Sequence, residues 1–218
     1  DGGPLDAVAS VLAAESGGAG GIYVNNGRAL QVAEVAPVAV NRVGRDSASS
    51  PAANDGDFGG LTTVYKGGNV VLKADGDMTV TEAVRADQAG NILLESETGG
   101  VALGTTVGSR AGNISIVANT DVEHFSGTLV ETSGSGTIDL QAGSGSVVAD
   151  AGRVETDGTG DIRILADQNV ILGGRISTPA DVSITATHGW IRDADGDLVK
   201  AFSWRGNAHP GDRWADRG

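Results

Sequence analysis

The sequence contains no cysteine. Neither a disulfide framework nor a thiolate metal site can be built from it, a composition that fits an exported bacterial chain. Aromatic residues make up only 4% of the 218 positions and proline occurs 5 times, whereas glycine occurs 35 times. A bulky aromatic core is therefore poorly supplied, and collagen is excluded because the glycines keep no three-residue period. Basic residues are outnumbered, giving a formal net charge of −13. Nucleic-acid binding needs a basic stripe that displaces counterions, and no cluster of Lys and Arg supplies one. No apolar run approaches the roughly 20 residues of a membrane-crossing helix; the longest, residues 32 to 40, is interrupted by Glu34 and Pro37. The chain opens without methionine or a basic segment leading into an apolar one. It starts in Gly-rich and stops in polar sequence, as expected of a piece of something longer.

What is present is a repeat. A Gly or Ala, a polar residue and an apolar-x-apolar triplet recur at Gly68-Asn69-Val70-Val71-Leu72, Gly90-Asn91-Ile92-Leu93-Leu94, Gly112-Asn113-Ile114-Ser115-Ile116, Gly136-Thr137-Ile138-Asp139-Leu140, Gly160-Asp161-Ile162-Arg163-Ile164 and Ala180-Asp181-Val182-Ser183-Ile184. Subtracting successive first positions gives spacings of 22, 22, 24, 24 and 20. Each unit carries a second apolar step at Val80, Val101, Val122, Val147, Val170 and Trp190, and a third at Val84, Val107, Leu129, Val154, Ile176 and Leu198.

Three short strands per period describe one turn of a three-faced coil. Alternation within a strand sends Ile114 and Ile116 to one side and Ser115 to the other. One turn cannot bury its apolar side alone, but stacked turns merge those sides into continuous aliphatic lanes. The fold class expected is all-β, a right-handed parallel β-helix or three-faced β-solenoid with about 20 to 24 residues per turn. Gly and Asn suit the corners, where positive φ costs them little.

Ahead of Gly68, the segment Gly21-Ile22-Tyr23-Val24 starts an earlier turn, with Leu30 and Val32 as its second step and Val38 and Val40 as its third. Residues 6 to 15 form either a short helix capped by Asp6 or the last strand of a preceding turn. The strand is preferred, because the next turn begins six residues beyond Glu15. Residues 41 to 60, with the turn-like Asn54-Asp55-Gly56-Asp57, break the rhythm and read as a surface loop inserted between turns. The solenoid is thus expected over residues 1–200. Residues 201–218, where Phe202, Trp204, Trp214, Arg205, Arg213 and Arg217 gather, serve as a C-terminal cap, a linker to a further module or a carbohydrate-stacking patch.

The pattern over residues 17 to 199 resembles the haemagglutinin-type β-helical repeats of giant filamentous adhesins and two-partner-secreted exoproteins of bacteria. The resemblance implies a rod-like stalk, secreted or held on the bacterial cell surface, used in adhesion, biofilm matrix or cell contact. Its expected partners are further solenoid turns of the same chain or neighbouring copies, and a cell-surface or matrix glycan. No catalysis, nucleic acid or membrane span is expected.

Solenoids also carry polysaccharide-cleaving enzymes that work with clustered carboxylates on one exposed sheet. The middle of the first triplet runs Val71, Leu93, Ser115, Asp139, Arg163 and Ser183, which holds one carboxylate and one guanidinium. An ion pair between adjacent turns is expected there. His124, His188 and His209 fall on different turns without a Cys or Glu at ligand spacing, and read as solvent-facing or corner-packing residues. No Gly-x-Ser-x-Gly elbow or phosphate loop is present. One metal candidate stands out: Asp193, Asp195 and Asp197 alternate before and after Gly196, as hard-cation ligands on a tight turn do. A full EF-hand is excluded because its distal Glu position is Trp204. The two readings are a weak calcium turn and an ordinary Asp-Gly corner; the alternatives to the rod are a calcium-responsive or carbohydrate-binding module and a polysaccharide lyase-like or hydrolase-like β-helix enzyme.

Overall fold

The computed structural model describes residues 3–38, 40–43, 45–51, 58–194 and 203–204. Short runs of β-branched and aliphatic residues, cut by Gly, Asn and Asp, leave room for two-to-five-residue strands among the described residues. Those strands stack in parallel into a β-solenoid of about 8 turns with about 23 residues per turn, without a helix among the described residues. Three eight-stranded sheets form its faces. The first runs from Leu5–Ala7 through Ile22–Asn26 and Val70–Ala74 to Val182–Ala186, the second from Val11–Leu12 to Ile191–Asp193, and the third from Ala14–Ser16 to Ser203–Trp204.

The register is that of the repeat. Val70 faces Ile92, Ile92 faces Ile114, Ile114 faces Ile138, Ile138 faces Ile162 and Ile162 faces Val182. Ten of the twelve triplet residues are buried, from Val70 and Leu72 to Ile162 and Ile164, while Val182 and Ile184 on the last strand are half-buried. Each fully buried aliphatic side chain contributes about 1.5 to 3 kcal/mol, so the aliphatic ladder dominates stability.

Two polar columns run beside the ladder at the corner joining the third sheet to the first. Inside, the hydroxyls of Ser109, Thr132 and Thr178 donate to the carbonyls of Gly90, Gly112 and Gly160, each at 2.7 Å. Outside, the Asn91 N–H donates to Asn69 Oδ1 at 2.9 Å and the Asn113 N–H to Asn91 Oδ1 at 2.8 Å. Side chains thus satisfy the backbone groups that the corner takes out of the sheets.

Residues 5–16 hold no helix, but in place of the one last strand expected they form three, a complete turn: Leu5–Ala7, Val11–Leu12 and Ala14–Ser16 are the end strands of the first, second and third sheets. The third step of the following turn is corrected. Val38 and Val40 are 56% and 54% exposed, and Leu61–Thr63 takes the position, Leu61 facing Ala14 on one side and Val84 on the other. The excursion therefore leaves between the second and third faces of one turn, not between turns. Two antiparallel pairs mark it, Glu34–Val35 with Phe58–Gly59 and Asn41–Val43 with Ser49–Pro51. Valines spaced by two read as a strand, but only Leu61 meets the neighbouring strands. Residues 54 to 57 lie outside the described residues.

Smaller register shifts have the same origin. Met78, not Val80, faces Val101; Val130, not Leu129, faces Val107; Ile191, not Trp190, faces Val170. In the last two cases adjacent apolar residues competed for one inward position. Leu198 is not among the described residues, and the strand on Ser177–Thr178 is Ser203–Trp204.

Candidate functional site

The outward lane of the first sheet is in the expected register, Tyr23, Val71, Leu93, Ser115, Asp139, Arg163, Ser183. Arg163 Nε donates to Asp139 Oδ1 at 2.8 Å and Nη2 to Oδ2 at 2.7 Å, a two-pronged pair between adjacent turns. The Asp139 carboxylate raises the pKa of the guanidinium further. Along the next outward lane, Lys73 lies 2.9 Å from Glu97 and 3.3 Å from Glu95. Hydrogen bonds to these two carboxylates, Glu97 first, hold its ammonium above the usual lysine range. These charges pair with one another across adjacent turns.

The third sheet presents a different surface. Its outward lane runs Thr62, Arg85, Gly108, Glu131, Glu155, Ser177. Two shallow concavities of about 390 and 530 Å³ lie along it and share Glu131 and Ser133. Gly108 leaves the lane without a side chain, so Arg85 reaches over it to Glu131 at 4.0 Å. Glu155 Oε1 is buried and makes no hydrogen bond, but it lies 3.5 Å from Arg153 and 3.8 Å from Arg175. On the corner wall, Arg110 lies 3.8 Å from Asp87. These carboxylates lie outside the first triplet of the repeat. Their signal was in the sequence: Val-Glu-Thr recurs at 130–132 and 154–156, one period of 24 apart.

His124 corrects one of the two expected placements. It packs at a corner, as one reading had it, but it is 1% exposed and points inward. Leu103 faces it on one side, and the register places Ala149 on the other. The Gly152 backbone packs against its ring, neither ring nitrogen has a partner, and burial pushes its pKa down to about 4. His188 is exposed, with Nδ1 2.7 Å from Asp167 Oδ1, so these two histidines are not brought together. His209 lies outside the described residues.

Of the metal candidates, Asp193 ends the strand Ile191–Asp193 opposite Leu172, while Asp195 and Asp197 lie outside the described residues. Among the described residues, no group of three His, Asp or Glu side chains is arranged to hold a metal. Beside Asp193, the Arg192 guanidinium sits 4.2 Å from the centroid of the half-exposed Trp190 ring. No family model, curated protein or solved structure matches the chain.

Proposed function

We propose that this chain is a structural and contact-forming segment of a large secreted or surface-displayed bacterial protein of the filamentous haemagglutinin type, acting as a stalk or cell-contact rod without catalysis. The observation that carries the reading is the continuity of three parallel sheets around one aliphatic ladder. Such a body is stiff along its axis and grows by adding turns, which is what a spacer between a cell and its contact needs. A cysteine-free chain needs no oxidant to fold after export, and its acidic surface resists lateral clumping.

The partners proposed are further turns of the same coil or neighbouring copies, docked on the sheet ends. Leu5, Val8 and Val11 are exposed on the first turn, and Trp190 and Ile191 on the last described one. Sheet edges and apolar residues together suit axial stacking.

The test is to display residues 1–218 on an inert surface-anchored carrier and measure cell aggregation and surface attachment, alongside release of reducing ends from a polysaccharide panel. Increased contact without sugar release is expected. Unchanged aggregation and attachment would remove the contact role, and steady sugar release would replace the rod with an enzyme.

A further inference from the structure

We infer that the groove on the outer face of the third sheet is a binding site for an uncharged, linear glycan lying along the solenoid axis, with Tyr65 at its rim as the stacking surface. This assignment goes beyond the contact role proposed above, and either stands without the other.

Tyr65 is the first reason. The corner position two residues after the inward third-sheet column is occupied in successive turns by Tyr65, Gln88, Ala111, Gly134, Gly158 and Ala180. At this position Tyr65, Gln88 and Gly134 have φ of 79°, 52° and 63°. Glycine meets that conformation freely, whereas a bulky aromatic residue there is an outlier. Two side chains of the next turn clamp it: the Tyr65 N–H donates to Asp87 Oδ2 at 3.0 Å, and Gln88 Nε2 donates to the Tyr65 carbonyl at 2.7 Å. Yet Tyr65 is 78% exposed, so the fold gains little packing from the ring. An aromatic ring held in a strained conformation and turned to solvent is placed for a ligand.

The groove beside it supplies the second reason. Val64 and Asp87, the chain neighbour of Tyr65 and its clamp, both line the nearer concavity. Its planar carboxylates and guanidiniums present paired acceptors and paired donors, the complement of neighbouring sugar hydroxyls. Arg85 and Arg110 balance Asp87 and Glu131 there, while the farther concavity sets Arg175 against Glu131, Glu155 and Asp157. With the whole chain at −13, an anionic polymer is repelled and an uncharged one is admitted. Because the concavities share Glu131 and Ser133, the groove continues across turns. The turn spacing of about 4.8 Å is close to the advance of one sugar residue in an extended chain. An extended peptide finds no vacant ladder, since the strands beneath the groove are paired on both sides.

The experiment is calorimetry and affinity electrophoresis of residues 1–218 with short linear oligomers of β-1,4-glucose, α-1,4-glucose and β-1,4-N-acetylglucosamine, with polygalacturonate as the anionic comparison. At least one neutral oligomer binds and polygalacturonate does not. Tyr65→Gly, which relieves the backbone, weakens binding by about tenfold or more while the melting temperature holds or rises. Arg163→Ala, on the first sheet, leaves binding unchanged. If Tyr65→Gly does not fold, Tyr65→Leu carries the same comparison. The assignment is overturned if no neutral oligomer binds, if removing the ring changes affinity by less than about twofold, if polygalacturonate binds as well, or if Arg163→Ala weakens binding equally.

Discussion

His124 occupies a place in the second sheet where the turns on either side put Leu103 and Ala149. No charged group of those strands shares its inward lane, so burial alone sets its protonation. An imidazole that titrates near 6.5 when unfolded and near 4 when folded takes up its proton more readily in the unfolded chain. The associated stability is whole above pH 6.5, declines as pH falls towards 4 and loses little more below that. The loss across this window is on the order of 3 kcal/mol. Urea unfolding at several pH values should show it, and His124→Leu should flatten the slope while leaving neutral-pH stability equal or higher, because both ring nitrogens are unpartnered. An unchanged slope would place the acid sensitivity elsewhere. The inward direction of His124 was legible, since Val122 and His124 are two apart in one strand. A histidine at that place also fits a ligand or a solvent-facing residue, and those readings compete with the simpler period.

At the scale of the strand and its corner, the sequence announced the first sheet through an apolar-x-apolar triplet behind a small residue. The small residue is a steric demand. A Cβ on Gly136 would fall on the Gly112 carbonyl oxygen and the Thr132 hydroxyl, and one on Gly160 on the Gly136 carbonyl. Gly136→Ala should therefore lower the melting temperature clearly, by about 1 to 3 kcal/mol of stability, with the corner hydrogen bond of Thr132 lost. Ile138→Asp should cost more, on the order of 4 kcal/mol, because an unpaired carboxylate would enter a dry ladder. Equal effects of Ile138→Asp and Ser115→Asp, the latter on an outward position, would mean the lanes are not segregated. The Asp139–Arg163 pair, though two-pronged, is half-exposed on the Arg side. A double-mutant cycle should return at most about 1 kcal/mol, shrinking in high salt. The second and third sheets were less legible because their strands offer at most two inward residues, where the five-residue strands of the first sheet offer three. Leu129 beside Val130, and Trp190 beside Ile191, each presented two apolar candidates for one inward place. The candidate groove was hidden for a related reason: its charges lie in the sheet with the weakest pattern, and Glu131 and Glu155 come together only through the stacking of turns.

For the whole molecule, each turn touches mainly the turns before and after it, so stability is close to a sum over turns and the interfaces between them. That additivity makes a turn removable. The 22 residues from Gly90 to Ala111 span one full period, and excising them joins Ala89 to Gly112. Equivalent residues then meet: Val70 faces Ile114, Leu72 faces Ile116, and Arg85 comes directly beside the turn that carries Glu131. Lys73 loses Glu95 and Glu97, at small cost because all three are at the surface. The shortened chain should fold, keep its β circular dichroism and be shorter along its axis by about 4.8 Å in small-angle scattering. Excising residues 90 to 100 alone should not be tolerated. It joins Ala89 to Val101, so a second-sheet strand arrives where a first-sheet strand is needed and the coil cannot close its corner. Aggregation or loss of cooperative unfolding is the expected result. If both deletions fold equally well, or both fail, the turns are not interchangeable units, and the repeat seen in the sequence does not govern how the solenoid is held together.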